Sequence, residues 1–516
     1  MKDIRWKLAA LAAAAIVAAC GGGDSGPAGT QNTDPARGAL MQSPPPRITS
    51  MTAADFTALL TAKSPSLLQL AGTPVCGVDV QYIKYGTVGG AGEATNASGA
   101  LMVPTGDDAK CKGARPIVMY AHGTNITKTY NLADFGDSTN PAYSEAVLLA
   151  ALYAAQGYIV VAPNYAGYDS SPLSYHPYLN ADQQSKEMID VLAAAKSALP
   201  TLLSPTTASA KLFLTGYSQG GHVAMAAHRA MQAAGIPVTA SAPLSGPYAL
   251  AAQSDATFYG MVNAGSTIFS PMIFTSYQKS YGNIYASTSD VYEPAYATGI
   301  ETLIPGIYTF DTLAPSGKVP MTALFSSTPP APPYAPITPP TGTGATDALF
   351  AAGFGTGNLL KNSFRLSYLQ DMAASPDGVV PATTTGMPAS NPQNPSRIAL
   401  KKNDLRGWSP AAPILMCGGN ADPTVFYSLN TGVMANLWAP QVAARLVTVL
   451  DVDSAPTGPT DPFAAAKVGF AQTKTAMING AIATGQNPAA VVTMAYHGTL
   501  VPPFCNAAAR GFFSQF

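Results

Sequence analysis

The hexapeptide Gly216-Tyr217-Ser218-Gln219-Gly220-Gly221 constrains this chain more than any other stretch. The mostly apolar run Lys211 to Thr215 leads into it with strand character, and His222 to Ala227 leads out with helical character. A G-x-S-x-G turn between strand and helix is so tight that the positions flanking the serine must be small. It holds the serine in a strained conformation, its hydroxyl at the strand tip and a helix N-terminus beneath it. Ser218 is therefore the candidate nucleophile, against the blander reading of an ordinary strand-to-helix turn.

The first residues read as an address. Lys2, Arg5 and Lys7 form a positive region, and Leu8 to Ala19 is an apolar run too short to span a bilayer. Val17-Ala18-Ala19-Cys20-Gly21 looks like a bacterial lipobox, which places a signal peptide over 1–19 and an acylated Cys20 at the mature N-terminus. The alternative is a simple secretory signal cut near Ala19. A Gly/Ser/Pro/Thr tract follows, read as a flexible tether over 20–50. No other segment reads as a transmembrane helix. The expected location is the outer membrane or cell surface of a Gram-negative bacterium, reached through lipid on Cys20, or else secreted or periplasmic. In such an organism the sequons at Asn96 and Asn125 carry little weight.

Four cysteines remain, Cys76, Cys111, Cys417 and Cys505. An even count in an exported chain favours two disulfides over buried free thiols. Proximity favours Cys76–Cys111 and Cys417–Cys505. Only 11% of the 516 residues are charged and the net charge is −1, which gives no footprint for a nucleic acid.

Largely apolar runs at Pro116 to Ala121, Tyr158 to Ala162, Lys211 to Thr215 and Val238 to Leu244 alternate with helical stretches at Tyr143 to Gln156, Ala181 to Leu199 and the helix after Ser218. Buried strands alternating with helices imply an α/β fold with a parallel sheet. Before them stand a helix over 52–71 and a pair of strands, Asp79 to Tyr85 and Ala97 to Val103. From 247 to 409 the rhythm breaks into Tyr, Phe, Pro and Gly, and it resumes at Pro413 to Gly418. The reading is a core over 51–246 and 410–516 with an inserted cap or lid over 247–409.

A serine hydroxyl needs a base, and the base needs a third group to orient it. Of the five histidines, His122, His176, His222 and His228 lie before the cap or on the helix behind Ser218. His497 follows an expected strand, Val491 to Tyr496, and is the candidate base. Asp422, in a turn after the Pro413 to Gly418 strand, is the candidate acid, with Asp451 and Asp453 as rivals. A Cys417–Cys505 bridge would bracket both Asp422 and His497. Two amides must hold the oxyanion: that of Gln219, directly after the serine, and that of Thr124 in Ala121-His122-Gly123-Thr124.

With Ala121 to Thr124, Ala162-Pro163-Asn164-Tyr165-Ala166-Gly167-Tyr168, the elbow formed by Gly216 to Gly221, and a cap followed by Asp422 and His497, the chain resembles an α/β-hydrolase. It resembles more closely the secretory lipase/esterase group similar to Candida antarctica lipase A, over roughly residues 75–516. Members of that group usually carry an aspartate where Asn164 stands. The resemblance implies a mostly parallel sheet flanked by helices, and ester hydrolysis without a metal or organic cofactor. It leaves the substrate open. No H-E-x-x-H or C-x-x-C pair appears. The expectation is a monomeric serine hydrolase of apolar lipid, polyester or aryl esters. Its alternatives are a peptidase or amidase with the same triad, and a non-catalytic surface protein on a hydrolase fold.

Overall fold

The computed structural model describes residues 35–342 and 346–516. Cys20, the signal segment and the first part of the expected tether lie outside the described residues.

Nine strands form one sheet in the order β1-β2-β3-β5-β4-β6-β7-β8-β9. They are β1 (Arg47–Met51), β2 (Gly77–Val88), β3 (Ala94–Thr105), β4 (Gly113–Ala121), β5 (Ile159–Pro163), β6 (Thr206–Tyr217), β7 (Ala240–Leu244), β8 (Ile414–Gly418) and β9 (Val447–Asp451). β1, β2 and β3 run antiparallel, as does β3 against β5; all pairs from β5 through β9 are parallel. β5, β7 and β8 are buried at every residue, which explains their unbroken apolar runs. In open parallel sheets ligands bind beyond the carboxyl ends of the strands. Those ends here carry His122 to Thr124 after β4, Asn164 after β5, Ser218 after β6 and Asp422 after β8.

The helices before and beside the sheet are α1 (Ala53–Lys63), α2 (Pro65–Ala71), α3 (Tyr143–Leu152), α4 (Ala181–Ala198) and α5 (Gln219–Ala233). The single helix expected over 52–71 is two, because Pro65 opens the second and cannot continue the first. The stretch 35–50, expected as tether, is docked instead. Arg37 forks onto Asp190 of α4 at 2.9 and 3.0 Å, and β1 pairs with β2.

Between β7 and β8 the described residues contain helices and no strand, and they supply most of a second buried apolar cluster that Ile126, Tyr178 and Leu179 complete. Two helices from this segment matter below, α6 (Leu250–Phe258) and α7 (Ser266–Tyr281). Buried ion pairs tie the segment together: Arg406 reaches Asp377 and Asp404, and Arg397 reaches Asp255 and Asp371. No described helix is long and apolar enough to cross a membrane.

The expected strand Val491 to Tyr496 is a helix, Pro488–Ala495. Valine and threonine favour strand there, but Asn487 caps the amides of Ala489 and Ala490, and Pro488 stands at the first helical position. Local capping outweighs the weak strand preference of a short run.

Glu187 of α4 is fully buried and accepts hydrogen bonds from Tyr85 Oη, Gln183 Nε2 and the Ala166 amide. Burial dominates and pushes its carboxyl up from the ordinary 4.5 to about 7. The folded state thus keeps a proton that the unfolded chain releases, so stability falls as pH rises from about 4.5 to about 7, and the full penalty persists above that. Glu187→Gln should flatten this slope. Urea unfolding at pH 5 and pH 8 should show the variant gaining on the wild type by on the order of 3 kcal/mol. Parallel pH profiles for the two proteins would refute the assignment.

Candidate active site

β6 ends at Tyr217 and α5 begins at Gln219, leaving Ser218 alone at the corner. Its backbone sits at φ 58°, ψ −120°, a region that side-chain-bearing residues rarely adopt. The neighbouring glycines make the corner possible. A Cβ at Gly216 would strike the carbonyls of Gly220 and Ala121, and one at Gly220 would overlap Ala121. The Ser218 amide donates to Leu244 O at 2.9 Å, which fastens the turn to β7.

His497 arrives from the far end of the chain. It lies in Tyr496–Leu500, a π-helical turn between the helices Pro488–Ala495 and Val501–Phe513. Such turns are rare and concentrate at functional sites. His497 Nε2 is 2.7 Å from Ser218 Oγ, and His497 Nδ1 is 2.6 Å from Asp422 Oδ2. The other Asp422 oxygen accepts the amides of Thr424 and Val425 at 2.9 and 3.0 Å. With its other oxygen held by two amides, Asp422 accepts a hydrogen bond from Nδ1–H, and Nε2 is left to accept from the serine hydroxyl.

The rival carboxylates are used elsewhere. Asp451 accepts the amide and side chain of Asn420, and Asp453 pairs with Lys474 and accepts the Tyr496 hydroxyl. Tyr217, the residue just before the serine, donates its hydroxyl to His497 O at 2.6 Å. Nothing in the sequence pattern marks that contact, which joins residues 280 positions apart.

Gly123 lies beside the elbow: a Cβ there would come within 3.8 Å of Ser218 Cβ. Its neighbour Thr124 bonds through Oγ1 to Tyr178 Oη at 2.8 Å. The Gln219 amide is the first of α5 and has no intrahelical acceptor. His122 is buried between the rings of Tyr130 and Tyr165 and serves the loop, its ring nitrogens facing the carbonyls of Gly123 and Asn164. Burial pushes its pKa down. Asn164 itself is a buried hub for Ser98, Asn131 and Leu132.

The structure pairs Cys76 with Cys111 and Cys417 with Cys505. The second bridge ties β8, just before Asp422, to the terminal helix that follows His497. From Ser218 and Gln219 a cavity of about 80 Å³ runs under α6 and α7, past Leu250, Phe269, Ile273 and Phe274. Its lining carries no Asp, Glu, Lys, Arg or His. Among the described residues no group of three His, Cys, Asp or Glu side chains could hold a metal ion.

The chain is similar to the rice cell wall degrading esterase LipA of Xanthomonas oryzae in a ligand-bound form. The two are 26% identical, over 92% of this chain and 98% of that one, with a TM-score of 0.66. The fold is that of the α/β-hydrolases. A putative hydrolase of Legionella pneumophila, 19% identical over 92% of this chain and 97% of that one, shares the fold with a TM-score of 0.60. Candida antarctica lipase A lies further off, 12% identical over 80% of this chain and 75% of that one; its TM-score of 0.44 is too low to bear on the reading. Residues 144–236 of the chain match the prolyl oligopeptidase family. No curated protein matches the chain. Together the family match and the likeness to LipA support a serine hydrolase.

Proposed function

We propose that this serine hydrolase cleaves carboxylic esters. Ser218 Oγ attacks the ester carbonyl while its proton passes to His497 Nε2, oriented by Asp422. The amides of Gln219 and Thr124 stabilise the oxyanion of the tetrahedral intermediate, each such donor being typically worth about 3 kcal/mol of barrier. Collapse of the intermediate expels the alcohol, which takes the proton from His497 and leaves an acyl group on Ser218. Water, deprotonated by His497, then releases the acid and restores the serine. The segment 247–409 acts as a cap over this site and supplies the acyl-binding wall through α6 and α7.

The observation that carries the ester reading is the cavity that starts at Ser218 and holds no charged side chain. Such a wall suits a neutral, apolar acyl or aryl group. The likeness to a cell wall degrading esterase supports it. The match to the prolyl oligopeptidase family favours a second reading, a peptidase with the same residues. An exopeptidase that grips a substrate amine needs a carboxylate near the serine, and the cavity offers none.

A graded series of p-nitrophenyl esters, short to long, tests the proposal. The mature body should cleave them, Ser218→Ala should not, and the preferred chain length should be medium rather than acetyl alone. Amide cleavage with inert esters would establish the peptidase reading instead. We also propose that acylation of Cys20 tethers the body to a membrane. The lipobox supports this, and the two disulfides support an exported, oxidising location. Labelled palmitate should enter the full-length protein in cells and be lost in Cys20→Ser; equal labelling of both would refute the anchor.

A further inference from the structure

One short segment touches both arms of the proposed oxyanion hole. His176 and Tyr178 are buried, separated by Pro177, which restricts the backbone between them. His176 Nδ1 lies 2.9 Å from Ala166 O, and His176 Nε2 lies 2.6 Å from Gln219 Nε2. A carbonyl can only accept, so the ring proton sits on Nδ1, and Nε2 must accept from the Gln219 side-chain amide. Two residues on, Tyr178 Oη bonds Thr124 Oγ1 at 2.8 Å. The elbow arm and the loop arm are therefore spanned by the same three residues.

The region around this segment is held in costly conformations. Among the described residues five non-glycine residues have positive φ, and three of them, Tyr165, Asp169 and Leu179, flank His176. A fourth is Ser218 itself. Strain of this kind persists only where surrounding structure over-determines it, and it gathers at functional sites. The His176 ring stacks on Tyr165 with centroids 5.4 Å apart and tilts against Tyr168 at 4.8 Å, so it has little freedom to turn. Burial pushes its pKa down to about 3, which keeps it neutral and keeps Nε2 an acceptor.

We propose that His176, with Tyr178, is a clamp that positions the oxyanion hole. His176 fixes the Gln219 side chain and through it the amide of the same residue, and Tyr178 fixes Thr124. The clamp rests on the reading that the Gln219 and Thr124 amides receive the oxyanion. His176 touches no substrate; it is a positioning residue, and it explains why a histidine stands in a Tyr/Pro-rich loop.

Two substitutions separate positioning from simple support. Asparagine places an amide near the ring Nδ1, so His176→Asn keeps the bond to Ala166 O and loses the one to Gln219. Glutamine reaches the Nε2 position, so His176→Gln keeps the acceptor for Gln219. We expect His176→Asn to lower kcat by about 10- to 100-fold with KM within about twofold, a fraction of the loss seen when an oxyanion donor is removed outright. His176→Gln should recover to within about threefold of wild type. Tyr178→Phe should lower kcat by about tenfold. In a Gln219→Ala background, which retains the backbone amide, His176→Asn should have no further effect.

The same proteins are read by the rate at which a fluorophosphonate labels Ser218, a reaction that also builds charge on an oxygen and does not depend on whether esters or amides are the substrate. A wild-type Ser218 that fluorophosphonate fails to label would overturn the proposed catalytic site. Normal labelling of wild type with an unchanged rate in His176→Asn would overturn the clamp alone. So would tolerance of asparagine with loss on glutamine, or a full His176→Asn effect persisting without the Gln219 side chain.

Discussion

Asp422→Asn should lower kcat by about four orders of magnitude while leaving KM and folding nearly unchanged. The reason lies in the two amides of Thr424 and Val425, which donate to one Asp422 oxygen at 2.9 and 3.0 Å. In the variant they select the carbonyl oxygen of the new asparagine. Its NH₂ group is then turned toward His497 Nδ1, where the carboxylate oxygen stood at 2.6 Å. A donor facing Nδ1 forces the ring proton onto Nε2. That nitrogen can no longer accept from Ser218, which sits 2.7 Å away. Steady-state kinetics on the preferred ester, with circular dichroism as a folding control, reads the effect. A loss below about tenfold would remove Asp422 from the site and reopen the case for another acid.

Removal of the Cys417–Cys505 bridge by paired serine substitution should act on both stability and activity. The bridge closes a loop of 88 residues, a separation at which chain entropy alone predicts about 4.6 kcal/mol. It also joins the strand before Asp422 to the helix after His497, so its loss frees these two residues to drift apart. Displacements near 1 Å at a reacting centre can cost about 100-fold. We therefore expect a lower urea midpoint and a kcat reduced by about 10- to 100-fold even where the variant is folded. The Cys76–Cys111 bridge spans 35 residues at the start of the core, and neither Asp422 nor His497 lies within that span. Its removal should cost about 3–4 kcal/mol by the same relation and leave kcat within about twofold. Equal kcat losses from both bridges would show that neither acts on the site specifically.

The elbow was legible because its constraint is local: small residues at 216, 220 and 221 and a strand-to-helix change of rhythm lie within about ten residues of Ser218. Asp422 and His497 were reachable by position and by the scarcity of histidines, and the structure brings both to Ser218. The route to His497 differs from the strand that its composition suggests. Its approach is a capped helix and a π turn, and a Val-Val-Thr run masks the signal of Asn487 and Pro488. The supporting contacts were not legible at all. Tyr217 meets His497 across 280 residues and Gln219 meets His176 across 43. Such pairs are set by how strands order in the sheet, which local periodicity does not encode. The docking of 35–50 is hidden for a similar reason: a Pro/Ser-rich composition masks the short strand Arg47–Met51 and gives no sign that Arg37 finds Asp190.

The most direct test of the account is to trap the acyl-enzyme. The protein is mixed with p-nitrophenyl butyrate, quenched in acid within the first turnovers, digested, and examined by mass spectrometry. The account predicts a single added butyryl group, on Ser218, that appears with the burst of nitrophenol and is absent from Ser218→Ala. Hydrolysis that proceeds with no adduct, or with an adduct on another residue, would contradict it.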